Sequence, residues 1–166
     1  MAVQDPKELF VKLLSNVRHN EERSASFLQE LSEAVEDPDI KEAIESRIFL
    51  KDQTLSTLDR CFELIGEQPE KMTGKMQDVF VEDFRRELGE IKGTLARTLF
   101  IATKLNHLTH FRIAEYVTLV AMADITGNYA VGVLLESCLA DKLAFVERNR
   151  RWIRRRVESE LGAAVV

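Results

Sequence analysis

The stretch Leu99–Asn128, LFIATKLNHLTHFRIAEYVTLVAMADITGN, contains no proline and no glycine before Gly127. Its apolar residues recur at helical spacing: Leu99, Ala102, Leu105, Ile113, Tyr116, Leu119 and Ala123. The spacing predicts about eight turns of unbroken helix, close to the span of a small domain. The middle departs from the pattern, with Asn106, Thr109, His110 and Arg112 where the stripe should stay apolar. Polar groups on the buried face of a long helix are costly unless paired. They are also what helical bundles use to build metal centres.

The remaining segments follow the same plan. Asp5-Pro6-Lys7-Glu8 predicts a capped helix start, and the stripe Phe10, Leu14, Val17, Glu21, Ser24, Leu28, Leu31 follows it. A surface glutamate would lie off that stripe, so Glu21 is a candidate site residue. Asp37-Pro38-Asp39 opens a second helix with the stripe Ile40, Ile44, Arg47, Lys51, Leu55, Leu58, Phe62, Ile65, ending at Gly66. The short link makes the two helices antiparallel neighbours. Residues 67–73 read as a connector. A shorter helix is expected from about Gly74 to Leu88, with Met76, Val79, Phe80 and Phe84 on one face. Gly89 and Gly93 mark a break before the long helix, expected from about Glu90 to Ile125. The last helix is expected from about Tyr129 to Glu160, with the stripe Val131, Leu135, Cys138, Lys142, Phe145, Trp152 and with Asp141 at its edge.

The reading is an all-α chain of one domain, residues 1–166, with 160–166 as a frayed tail. Its pattern is a ferritin-like antiparallel four-helix bundle with one long crossover that carries an extra short helix. The 166 residues and 45% hydrophobic share are enough for one continuous core. Cys61 and Cys138 fall on apolar stripes at a spacing that matches no metal or redox motif, and are expected as buried free thiols. No signal pattern or membrane-spanning run is read, so a cytoplasmic location is expected.

Each long helix places polar groups near its midpoint: Glu21; Arg47 and Lys51; Thr109, His110 and Arg112; Asp141 and Lys142. A ferritin-like two-metal centre takes carboxylates from two helices and an acid-plus-imidazole set from the other two. Only Glu21 and Asp141, with His110 as an imidazole, answer to that pattern. Apart from Thr109, the other groups are cations.

Four segments, KELFVKLLSNVRHNEE (7–22), DPDIKEAIESRIFLKDQTLSTLDRCFELIGEQP (37–69), HFRIAEYVTLVAMADITGN (110–128) and LLESCLADK (134–142), resemble the bacterial ferritin-like stress-protein family typified by YciE and YciF. The resemblance implies a ferritin-like bundle with an added short helix, a homodimer, and in many members a two-metal centre. The chain departs from the family where metal would be held. Asn20-Glu21 keeps the acid of the first helix. Arg47-Ile48-Phe49-Leu50 replaces a histidine and acidic residues. Thr109-His110-Phe111-Arg112 stands for Glu-His-Tyr-Glu, and Asp141-Lys142 for paired glutamates.

Two readings follow. In the first, a buried charge network of Glu21, Arg47, Lys51, Arg112, Asp141 and Lys142 replaces the metals. No cofactor is then expected, and the protein acts through binding or assembly, stress-associated by resemblance. In the second, iron or manganese is kept by an altered set, Glu21, His110, Asp141 and Glu45, with oxygen or peroxide chemistry. No nucleophile–base pair or phosphate loop favours another enzyme. His19 and His107 are read as surface residues, and Tyr116 as core with its hydroxyl bonded. Phe100, Phe111 and Val117 are candidates for a dimer face.

The formal charge of −5 is unevenly spread. Residues 148–166 hold six Arg against two Glu, a net of +4, which leaves −9 for the rest of the −5 total. Arg148, Arg150, Arg151, Arg154, Arg155 and Arg156 surround Trp152. This end suits an anionic protein or surface as partner, or pairing with the acidic body. Nucleic acid is not favoured, since no reading motif accompanies the patch.

Overall fold

The computed structural model describes residues 3–163. Five helices follow one another: α1 (Pro6–Ala34), α2 (Pro38–Ile65), α3 (Lys75–Glu90), α4 (Thr94–Ile125) and α5 (Tyr129–Ala163). No strand occurs among the described residues. Several helix boundaries have a local cause. The Asp5 side chain accepts from the Glu8 amide at 2.9 Å, and Glu8 reaches back to the Gln4 amide at 2.9 Å. Asp37 accepts from the amides of Asp39 and Ile40, with Pro38 in the first turn. Gly66 ends α2 in the left-handed region, at φ 70°, where a side chain would be strained. Gly127 does the same in the α4–α5 turn, at φ 75°.

The long helix starts later than its apolar pattern suggests. Residues 91–93 separate α3 from α4, and Arg97 clamps the junction by donating to the carbonyls of Leu88 (2.9 Å) and Ile91 (3.0 Å). At the other end, α5 is helical to Ala163. Of the tail expected to fray, residues 160–163 are thus helical, and 164–166 lie outside the described residues.

The four long helices pack in a ring, α1 against α2, α2 against α5, α5 against α4 and α4 against α1. Their apolar stripes form two separate clusters. One gathers Leu31, Ile44, Ile101, Leu105, Phe145 and Trp152. The other gathers Phe10, Leu14, Phe62, Tyr116, Leu119 and Leu135. In every long helix polar residues lie between the two clusters: Glu21, Arg47, Thr109, Arg112 and Lys142. The interruption read in the sequence is therefore a belt across the middle of the molecule.

Helix α3 lies outside the ring. Phe84 is fully buried, edge-on to Phe27 (5.1 Å between centroids) and stacked on Phe100 (5.7 Å). Its packed face differs from the expected one: Met76 and Val79 are exposed, and Gln77 is buried. The inward row is Gln77, Phe80, Phe84, at spacings of three and four. Phe100, expected on a dimer face, is instead half-buried beneath α3, while Phe111 and Val117 are exposed.

Candidate functional site

The belt is built around Glu21, which is buried on α1. Its Oε1 lies 2.9 Å from Lys142 Nζ, also buried, and accepts a hydrogen bond from the Tyr116 hydroxyl at 3.3 Å. Burial works against ionisation of this carboxyl. The positive charges of Lys142, Arg112 and Arg47 outweigh it and hold the carboxyl below its ordinary range. The reverse holds for Tyr116, whose hydroxyl is pushed well up by burial and then by the Glu21 charge.

Two arginines complete the belt, each with its own partners. Arg112 is buried; it donates to Glu115 Oε2 at 2.6 Å and to Gln77 Oε1 at 2.9 Å. Its Nε is buried without a partner. Glu115 also accepts from Asn16 at 3.1 Å, so α1, α3 and α4 meet at this guanidinium. Arg47 donates to Thr109 Oγ1 at 2.7 Å, and the Thr109 hydroxyl donates to the Leu105 carbonyl at 2.7 Å. The Arg47 guanidinium carbon lies 4.6 Å from the centre of the Phe145 ring, a cation–π contact. Burial pushes the Arg47 pKa down, Glu21 opposes this, and Arg112 adds to it.

Four of the six network residues therefore share the belt: Glu21, Lys142, Arg47 and Arg112. Two do not enter it as expected. Asp141 is exposed, because it stands one position before Lys142 and so points about 100° away around the helix. Lys51 is half-buried beside a cleft and has no carboxylate within 4.0 Å among the described residues.

The alternative metal ligands are not assembled. His110 and Glu45 are exposed, as is His107, and the Glu45 carboxylate accepts from Ser32 at 3.3 Å. Among the described residues no three His, Cys, Asp or Glu side chains come together in a metal-holding group. Glu21, the one buried carboxylate among the described residues, has the Lys142 ammonium at 2.9 Å and lies in the field of Arg112 and Arg47, so these donors do not fit a two-metal centre. His19, read as a surface residue, is half-buried, with its Nε2 against Gly74 and without a hydrogen-bond partner.

Sequence reasoning missed Glu115 and Gln77. Glu115 lies three residues after Arg112, a spacing that puts the two on one helix face and could have flagged it. Gln77 is 35 residues away on another helix and left no local signal.

At the basic end of α5, Trp152 is buried in the apolar cluster and offers no surface to a partner, contrary to expectation. It sits on the same seam as Phe145, seven residues earlier. Several neighbouring arginines pair locally: Arg150 with Glu147 (3.1 Å), Arg151 with Glu147 (4.0 Å), Arg154 with Glu158 (2.8 Å) and Arg156 with Glu160 (3.7 Å). Arg148 and Arg155 have no carboxylate within 4.0 Å among the described residues. No described helix is long and apolar enough to cross a membrane.

Solved structures similar in fold include three that cover most of the chain. YciF, the stress protein of E. coli, superposes with a TM-score of 0.88 at 18% identity, covering 94% of this chain and 99% of YciF. YcfI of Rhodopseudomonas palustris gives 0.85 at 20% identity, with 89% and 94% covered. A protein of Xanthomonas campestris pv. campestris gives 0.73 at 17% identity, with 98% and 100% covered. No curated protein matches the chain. The sequence itself matches the family described as a domain of unknown function, DUF892, over residues 5–161. That match spans all of α1 to α4 and nearly all of α5, and with YciF among the similar structures it bears out the resemblance read from the four segments: the chain belongs to the DUF892 family.

Proposed function

We propose that this protein is a ferritin-like four-helix bundle whose metal centre has given way to buried charge pairs. It acts by binding or assembly, as a cytoplasmic homodimer, and not by catalysis. The observation that carries this reading is the Glu21–Lys142 pair, 2.9 Å apart between α1 and α5. An ammonium on the one buried carboxylate among the described residues supplies the positive charge that a metal cation would otherwise bring. Arg47 and Arg112 add two positive charges to the same region. A divalent ion entering there would be repelled by all three. The description of YciF as a stress protein supports a stress-associated role.

Elemental analysis tests the reading directly. The protein is expressed in medium supplemented with iron and manganese and purified without chelators, and its native mass is measured on the same sample. The expected result is metal far below one atom per chain in a particle of twice the chain mass. One or two atoms of iron or manganese per chain would overturn the metal-free reading. A monomer would overturn the assembly.

A further inference from the structure

A cleft of about 310 Å³ opens between α2 and α5, with α1 as its floor. Its lining carries five cations, Arg47, Lys51, Lys142, Arg148 and Arg151, against two carboxylates, Glu21 and Asp141. The excess is positive in a chain whose total is −5. Lys142 is matched by Glu21, and Arg151 leans toward Glu147 at 4.0 Å. Arg47, Lys51 and Arg148 have no carboxylate within 4.0 Å among the described residues, and Asp141 stands exposed.

The cations are placed in like-charged neighbours. Arg47 and Lys51 are one turn apart on α2, and Arg148 and Arg151 one turn apart on α5. Such spacing is unfavourable unless a counter-charge lies between. Among the described residues Arg47 makes one side-chain hydrogen bond, to Thr109, and the residue lines the cleft. A guanidinium fork beside an ammonium suits a group with several anionic oxygens. The walls between the charges are apolar: Leu28, Leu50, Ala25, Ala144 and the Phe145 ring. The volume lies at the small end of small-molecule sites.

We propose that this cleft binds a small amphipathic anion, a phosphate or carboxylate headgroup on a short apolar body. The headgroup is held by Arg47 and Lys51, with Arg148 at the mouth and the chain against Phe145 and Leu50. The proposal deepens the reading above and rests on it, since it takes the belt as permanently cationic.

The test is titration calorimetry in low-salt buffer with hexyl phosphate, hexanoate, inorganic phosphate and 1-hexanol. Hexyl phosphate or hexanoate is expected to bind saturably at one per chain. The tighter of the two identifies the headgroup. 1-Hexanol and inorganic phosphate are each expected to bind at least roughly tenfold more weakly, because each lacks half of the recognition. Arg47→Met and Lys51→Met should each weaken the tighter anion by at least roughly tenfold. Lys51 is half-buried and makes no ion pair among the described residues, so its replacement is expected to leave the fold in place even where the Arg47 variant does not fold. Absence of saturable binding by both anions, equal binding of 1-hexanol, or unchanged affinity in Lys51→Met would overturn the proposal. Stoichiometric iron in the elemental analysis removes the metal-free reading whatever the calorimetry gives. A metal-poor protein that binds neither anion removes this inference alone.

Discussion

Glu21 and Lys142 illustrate an asymmetry of buried ion pairs. Forming the pair offsets two desolvation penalties and leaves little surplus, whereas removing one partner strands the other. Glu21→Ala leaves the buried Lys142 without its carboxylate and removes the negative charge that Arg47 and Arg112 share. It is expected to destabilise the protein by about 3–5 kcal/mol in urea unfolding. The double variant Glu21→Met, Lys142→Met should lose much less than the sum of the two single variants. The sign of the pH dependence follows from the lowered Glu21 carboxyl. A carboxyl lowered in the folded state stabilises at pH values above its ordinary 4.5, and that contribution is lost as pH falls through the folded value. The stability gap between the native chain and Glu21→Gln should therefore be widest above pH 4.5 and shrink on acidification. A gap independent of pH would show that the Glu21 carboxyl titrates alike in the folded and unfolded chain, and is not lowered by its cations. Glu21 was legible because it sits on an apolar stripe. Arg112 and Thr109 were legible for the same reason, since 102, 105, 109, 112, 116, 119 and 123 form one unbroken three-four series of buried positions. His110 falls one residue off that series, and the spacing alone should have placed it outside.

Among the helices, α3 depends most on a few contacts. It touches the ring through Phe84 and Phe80, through Gln77 to Arg112, and through surface pairs such as Arg85 with Glu30 (2.7 Å). Surface pairs contribute little on their own. Phe84→Ala removes the one fully buried ring of the helix and should cost about 3–5 kcal/mol. Because the four long helices also pack on one another around the ring, the expected loss is local as well as global. Limited proteolysis should cut the variant within residues 67–93 faster than the native chain, while α1, α2, α4 and α5 stay protected. Uniform cleavage across all helices would show that α3 is integral to the ring. The existence of this helix could be read from the sequence, and its packed face could not. Met76, Val79, Phe80 and Phe84 looked like one stripe, but the inward row needs Gln77 for a guanidinium on another helix. A short helix with apolar residues on more than one side does not reveal which side has a neighbour.

Across the whole molecule, the polar belt separates two apolar halves, and this raises the question of whether they unfold together. The belt's contacts tie the helices crosswise: Glu21 to Lys142 and Tyr116, Arg47 to Thr109, Arg112 to Gln77 and Glu115. Such a network transmits loss of one half to the other, because opening either half exposes charges whose partners stay behind. The two thiols report on this. Cys61 and Cys138 are both buried in the half built on Phe10 and Tyr116. Burial, and then the neighbouring Cys138, pushes the Cys61 pKa up to about 12; burial pushes that of Cys138 up to about 11. At pH 8 neither thiol is reactive in place, so a thiol reagent must wait for opening. If the halves open only together, both cysteines should label at one rate, at least roughly a thousandfold slower than in urea. That rate should rise in Glu21→Ala by the factor that its loss of global stability sets. Fast labelling in the native protein, with unfolding measured by helical circular dichroism unchanged, would mean that the thiol-bearing half opens alone. The belt would then be a boundary between two folding units and not the joint that unites them.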